Sequence, residues 1–269
     1  MIIPVNELNT PELQIYSSQN ETQLKHYYEP APGIFIAETE NVILRALKAG
    51  YEPISLLMDS KYLGTEVPAA VGDIPVYTAS MEVLSVINGF RQTRGILCAM
   101  KRKPLPAPEE ILQKARKIAV LEDVENPTNV GAIFRSAAAL GIEAVIMTFG
   151  SADPFYRRAA RVSMGTAFMI PHTYMGNKWG GWPNPGISKL HEAGFSTIAM
   201  ALSDRAVSLA DPMLKSEEKT AVIFGNEENG IRPDTLEQCR HIVKIPMQND
   251  VDSLNVAAAS AVAFWELCR

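Results

Sequence analysis

The stretch KIAVLEDVENPTNVGAIFRSAAALG, Lys117 to Gly141, decides the fold. A near-continuous apolar run, Ile118 to Val124, gives way within a few residues to apolar positions at helical spacing, which reads as a strand turning into a helix. Pro127 cannot extend a strand's hydrogen bonding, Asn129 is a candidate cap for a helix that begins near Val130, and Gly141 is a candidate stop. Ile133, Phe134, Ala137, Ala138 and Leu140 make that helix mainly apolar. Arg135 in its midst therefore needs a reason: a snorkelling side chain or an edge ion pair is one, and a ligand is another.

The same alternation runs outward in both directions. Downstream, strand candidates are EAVIMTF (143–149), TAFMIPH (166–172), STIAMAL (196–202), TAVIFG (220–225) and HIVKIPM (241–247), with helices at Ile187–Ala193, after Pro233, and from Leu254 to the end. Apolar runs this unbroken fit a mostly parallel sheet covered on both faces, an α/β architecture. Upstream, IFIA (34–37), ISLLM (54–58), IPVYTA (74–79) and GILCAM (95–100) alternate with helical patterns such as TENVILRALKAG, a smaller βαβ-type unit. Between them KPLPAPEE (103–110) sets prolines at alternate positions, a stiff extended connector. The expected organisation is a domain at 1–103, a linker at 104–110 and a second domain at 111–269.

A chain of 269 residues with 47% hydrophobic content and a mean hydropathy near zero can build two such cores. No apolar run reaches the roughly 18 residues needed to cross a bilayer, and the start lacks a signal-like pattern, so the expectation is a cytoplasmic protein without a membrane partner. Cys98, Cys239 and Cys268 are scattered, and the four histidines form no HExxH pair, so no metal is expected. The net charge of −5 argues against an indiscriminate polyanion binder. Basic residues cluster locally, however: Arg91, Arg94, Lys101 and Arg102 with their neighbours, and then Arg157, Arg158 and Arg161. They fit either a solvated face or a phosphate-contact patch. Trp179 and Trp182 lie in the irregular loop GNKWGGWPNPG (176–186), where loop packing or a subunit contact competes with base stacking.

In a parallel α/β sheet the chemistry sits on loops at the carboxyl ends of the strands. Three loops stand out. NPTNVGAIFRSA (126–137) carries Asn129 and Arg135. FGNEENGI (224–231) offers accessible main chain at Gly225 and Gly230 beside Glu227 and Glu228, two carboxylates that would repel a phosphate and suit a neutral or cationic ligand. IPMQNDVDSLNVAAASA (245–261) ends a strand at Pro246, offers Ser253 or Asp252 as a helix cap, and would project Asn255 from the first turn. No GxGxxG follows a strand and no GxxxxGK[ST] is present, which removes the dinucleotide and triphosphatase fingerprints.

Taken together, in this order and spacing, these three motifs resemble the SpoU/TrmH family of RNA ribose 2′-O-methyltransferases of the SPOUT class, over Ile118 to Arg269. The amino-terminal unit, with GIFIAETENVILRALKAG and RQTRGILCAMKRK, looks like the ribosomal-protein-like RNA-binding domain that many members carry. The resemblance implies a deep trefoil knot in the last segments and S-adenosylmethionine held by loops beginning at Gly225, Ile245 and Leu254, with Asn226, Gly230 and Met247 among the contacts. It also implies a homodimer with the active site at the subunit interface, and site positions Arg135, Asn129, Glu227, Ser253 and Asn255. Arg91, Arg94, Lys101 and Arg102 become candidate RNA contacts, with ribosomal RNA favoured over transfer RNA. Transfer RNA, or a catalytically silent RNA-binding module, are the alternatives. Two departures stand out: Asn126 where an aspartate is common, and Asn249 where a glycine is common. Asparagine tolerates left-handed backbone, so the second change should preserve the turn.

Overall fold

The computed structural model describes residues 1–87, 95–177, 180–249 and 251–268. Arg91, Arg94 and Trp179, singled out above, lie outside them. Contacts divide the chain into two compact units, Met1–Pro104 with Phe155–Met169, and Leu105–Pro154 with Ile170–Arg269.

The first unit carries strands β1 (Ile2–Pro4), β2 (Ile34–Glu38), β3 (Pro53–Asp59), β4 (Val76–Ala79) and β5 (Ile96–Lys101), in sheet order β1-β4-β3-β5-β2. The four expected strands form, but the unit is not a plain βαβ repeat. The β5 strand enters antiparallel between β3 and β2, and the short β1 pairs parallel with β4. The residues after Pro154 belong here through an aromatic cluster in which Phe35 meets Phe155 and Phe168 at ring separations of 5.0 Å, with Tyr51 alongside. TAFMIPH is accordingly not one strand. Its Thr166–Phe168 is a single tight helical turn, entered through left-handed Gly165, that delivers Phe168 to this cluster. Glu38 lies buried opposite two of the arginines, 3.4 Å from Arg157 Nε and 3.2 Å from Arg161 Nη1. Burial pushes its carboxyl above the ordinary value and the two guanidinium groups oppose that shift. Arg157 and Arg161 thus serve this contact, where a phosphate patch was one reading.

The second unit is a seven-stranded sheet in which every pairing is parallel: β6 (Lys117–Leu121), β7 (Ala144–Met147), β8 (His172–Tyr174), β9 (Ser196–Met200), β10 (Val207–Ser208), β11 (Thr220–Phe224) and β12 (His241–Lys244). Their order is β10-β12-β9-β11-β6-β7-β8. From β6 the chain moves outward through β7 and β8. It then returns to the other side, so that β11 comes to lie against β6. Loops leaving the carboxyl ends of these two strands are neighbours across the place where strand order reverses, the usual ligand position in such sheets. The connector also differs from expectation. Pro108, Glu109 and Glu110 open the helix Pro108–Lys114, since proline at the first helical position forfeits no intrahelical hydrogen bond.

Candidate active site

The helix after β6 spans Pro127–Leu140, three residues earlier than the sequence suggests, and is capped by Asn126, whose side chain accepts from the Thr128 N–H at 2.9 Å. Gly141 ends it in the left-handed conformation, as expected. Asn129 is released from capping and lies buried in the first turn. The last helix, Val256–Leu267, is capped by Asn255, which accepts from the Ala257 N–H at 2.9 Å, and not by Ser253 or Asp252. Ser253 is exposed.

The three loops meet through these amides. Glu227, on the loop after β11, accepts from Asn129 Nδ2 at 2.8 Å and from the N–H groups of Asn126 at 3.1 Å and Glu125 at 3.2 Å. Asn129 Oδ1 in turn accepts from Asn255 Nδ2 at 3.2 Å. One asparagine therefore uses both ends of its amide to join a carboxylate to a helix cap. Burial would raise the Glu227 carboxyl, but the bond from Asn129 and those from the main chain outweigh it and hold the group below its ordinary value. A depressed folded value means a stabilisation present above the unfolded value and lost as pH falls through the folded one. In urea unfolding, the stability gap between the wild type and Glu227→Gln is expected to be full at about pH 7 and to close towards about pH 3.

An open cavity of about 490 Å³ flanks this cluster, lined by Glu125, Asn126, Pro127, Asn226, Glu227, Glu228 and Asn229. Ile245, Met247 and Leu254 do not line it. Leu254 and Ser253 are exposed on the segment before Asn255, and Ile245 and Met247 are half-buried. Asn226 folds its own loop: its Oδ1 accepts from the Glu228 and Asn229 N–H groups, and its Nδ2 donates to the Asp123 carbonyl at 2.8 Å. Gly225 is not an accessible stretch of main chain. A Cβ there would lie 2.2 Å from the carbonyl carbon of Gly230, so the glycine exists to let the loop close on itself. Gly225→Ala is expected to cost about 1–3 kcal/mol in thermal or urea unfolding, since backbone cannot step aside as a side chain would. Asn249 adopts φ +57, the left-handed turn expected of it.

Arg135 is exposed and has no hydrogen bond or ion pair among the described residues. Six positions after Asn129, it projects from a different face of the helix, roughly 120° around from that residue. Of the proposed RNA contacts, Lys101 is exposed beside Glu52 at 2.8 Å. Arg102 is engaged within its own unit, where Nε donates to the Ile34 carbonyl and the guanidinium covers Phe155.

Sequence reading missed Glu122. It is 1% exposed and accepts from the Arg232 N–H at 2.6 Å, from Thr235 Oγ1 at 2.6 Å and from the indole N–H of Trp182. The available signal was an acidic residue closing an otherwise apolar strand. Trp182 is accordingly a packing residue of its loop. No cluster among the described residues has the makings of a metal site, and no helix among them is long and apolar enough to cross a membrane.

Residues 116–265 match the model of the SpoU rRNA Methylase family. An uncharacterized tRNA/rRNA methyltransferase of Mycobacterium tuberculosis (strain H37Rv) is 36% identical over 96% of this chain and 89% of its own. The 23S rRNA (guanosine(2553)-2′-O)-methyltransferase RlmP of Bacillus subtilis is 28% identical over 87% of this chain and 88% of its own. Among solved structures, an AdoMet-bound rRNA methyltransferase from Sinorhizobium meliloti superposes with a TM-score of 0.80 at 24% identity, covering 99% of this chain and 97% of that one. At that identity the likeness speaks for a shared fold.

Proposed function

Since the chain belongs to the SpoU rRNA methylase family, we propose that it methylates a ribose 2′-hydroxyl of structured RNA, with S-adenosylmethionine as the methyl donor and ribosomal RNA as the target. The observation that carries this reading is the convergence of Glu227, Asn129 and Asn255 from three loops on one hydrogen-bonded cluster. The chemistry of the two cofactor loops fits the donor: residues 225–231 and 245–255 contain carboxylates and amides but no lysine or arginine, which suits a neutral adenosine and a cationic sulfonium and not a phosphate. S-adenosylmethionine would bring a methyl group on a sulfonium whose sulfur departs as a neutral thioether while the 2′-hydroxyl proton passes to an adjacent acceptor or the nucleotide phosphate, so the protein's task is alignment and exclusion of water.

Glu227 presents a carboxylate fixed by three donors, one side chain and two main-chain N–H groups, and so favours positive charge beside it. Asn129 and Asn255 keep the two flanking helices in register with that loop. Arg135 is a donor and never an acceptor; its fork suits a phosphate and the negative charge that develops on the 2′-oxygen. Arg135 makes no hydrogen bond or ion pair with the cluster of its own chain among the described residues, and Arg135 of the partner subunit completes the site in a homodimer. Support for that arrangement comes from the last helix, which exposes Ala258, Val262 and Trp265 along one stripe. It packs against the helix that exposes Arg135, Ala138 and Ala139. The deep knot that the resemblance implies belongs to the same proposal and is supported by β12 lying between β9 and β10. Domain 1–103 recruits the RNA through Lys101 and the segment holding Arg91 and Arg94. The proposed setting is the cytoplasm.

Calorimetry with S-adenosylmethionine, followed by mapping of ribose methylation in ribosomal and transfer RNA from cells with and without the gene, tests this reading. Binding and a methylation lost from ribosomal RNA are expected. Sites lost only from transfer RNA would move the target, and a protein that does not bind the donor would be a silent RNA-binding module.

A further inference from the structure

We infer that Glu122 is a positioning residue that clamps the neck of the Glu227 loop and thereby sets affinity for the methyl donor; this rests on the function proposed above. The register of the sheet puts Leu121 opposite Phe224, so Glu122 is the first residue past the paired strands and stands at the root of that loop. Its own N–H donates to the Phe224 carbonyl at 2.8 Å, where the loop begins. Its carboxylate accepts from the Arg232 N–H at 2.6 Å, where the loop ends. A single residue thus grips both ends of residues 225–231. The other carboxylate oxygen accepts from Thr235 Oγ1 at 2.6 Å and from Trp182 Nε1, which ties the start of the helix Pro233–Gln238 and the loop bearing Trp182 to the same point.

The chemistry requires two acceptor oxygens, because donors approach both sides of the carboxyl. Glutamine in this place keeps the shape but turns one side into a donor. If its amide NH2 faces Arg232, it confronts a main-chain N–H; if it faces the other way, the hydroxyl of Thr235 can rotate to accept but the indole N–H of Trp182 cannot. Either way one buried donor is stranded. Above the clamp, Glu227 depends on a loop whose base is held still, since its carboxylate must meet the N–H groups of Glu125 and Asn126 on the opposing strand extension.

The test uses the full chain, the variants Glu122→Gln and Trp182→Phe, and two readouts: hydrogen exchange without ligand, and titration and kinetics with S-adenosylmethionine. Glu122→Gln is expected to speed exchange at Asn226, Gly230 and Arg232 roughly tenfold while leaving Lys117–Leu121 protected, and to raise Kd and KM for the donor roughly tenfold with kcat at saturation changed by less than about threefold. Trp182→Phe removes one donor and should shift both readouts in the same direction by less. Unchanged protection of the loop in Glu122→Gln, or equal loss across the whole sheet, would overturn the inference, the second by making Glu122 a general folding residue. A wild type that does not bind the donor would instead sink the proposed function, and the exchange pattern would still judge the clamp.

Discussion

Arg135→Lys is expected to lower kcat about 10²- to 10³-fold while leaving calorimetric affinity for S-adenosylmethionine within about twofold of the wild type. The substitution preserves the charge and removes the planar fork, and a fork is what lets one side chain hold a phosphate oxygen and a developing alkoxide together. Folding should be indifferent to it, because Arg135 is exposed and makes no hydrogen bond or ion pair among the described residues. That separation makes the result informative: an unchanged melting temperature and donor affinity with a collapsed turnover number locates the loss in the RNA half of the site. A lysine variant that turns over at the wild-type rate would refute the geometric role. The subunit assignment has its own check. Mixing Arg135→Ala with Glu227→Ala should restore up to about a quarter of the activity through one intact hybrid site, if the arginine serves its partner.

Asn129→Ala is expected to cost about 1–3 kcal/mol of stability and, through the same broken geometry, roughly 10²-fold in kcat/KM. Both ends of this buried amide are in use, donating to Glu227 at 2.8 Å and accepting from Asn255 at 3.2 Å. Alanine leaves Glu227 to its main-chain donors and takes away the acceptor of the Asn255 amide. Asn129→Asp separates volume from chemistry, since it fills the same space but sets a second carboxylate against Glu227. Two such groups cannot both ionise cheaply at hydrogen-bonding distance, so this variant should lose more activity at alkaline than at acidic pH. A pH-rate profile of Asn129→Asp parallel to the wild type would show that Asn129 and Glu227 do not act together.

How much of this could be read from the sequence depends on the range of the interaction. Period and punctuation gave most strands of both sheets, though not the short β1 and β10 and with β8 misplaced, together with the helix stop at Gly141 and the left-handed turn at Asn249, because each is set by a residue's own backbone preferences and its immediate neighbours. Asn129, Glu227 and Asn255 were legible as polar residues in loops after apolar strands. The caps were misjudged by a few positions, since Asn126 and Asn129, or Ser253 and Asn255, are equally good capping residues and local chemistry does not choose between them. The choice is made by Glu227, 98 residues from Asn129 in the chain, which draws that asparagine inward and leaves Asn126 to cap.

By itself, then, the sequence determined the α/β class, the parallel character of the larger sheet and the three polar loops that bear Asn129, Glu227 and Asn255, all consequences of period and side-chain type. Tertiary structure alone decided the order β9-β11-β6 that makes two of those loops adjacent, the return of Phe155–Met169 to the first unit, the closing of Gly225 on Gly230 and the burial of Glu122 beneath the loop it grips. Each of these depends on which segments are brought side by side, and a hydrogen bond between residues a hundred positions apart leaves no periodic mark on the chain that forms it.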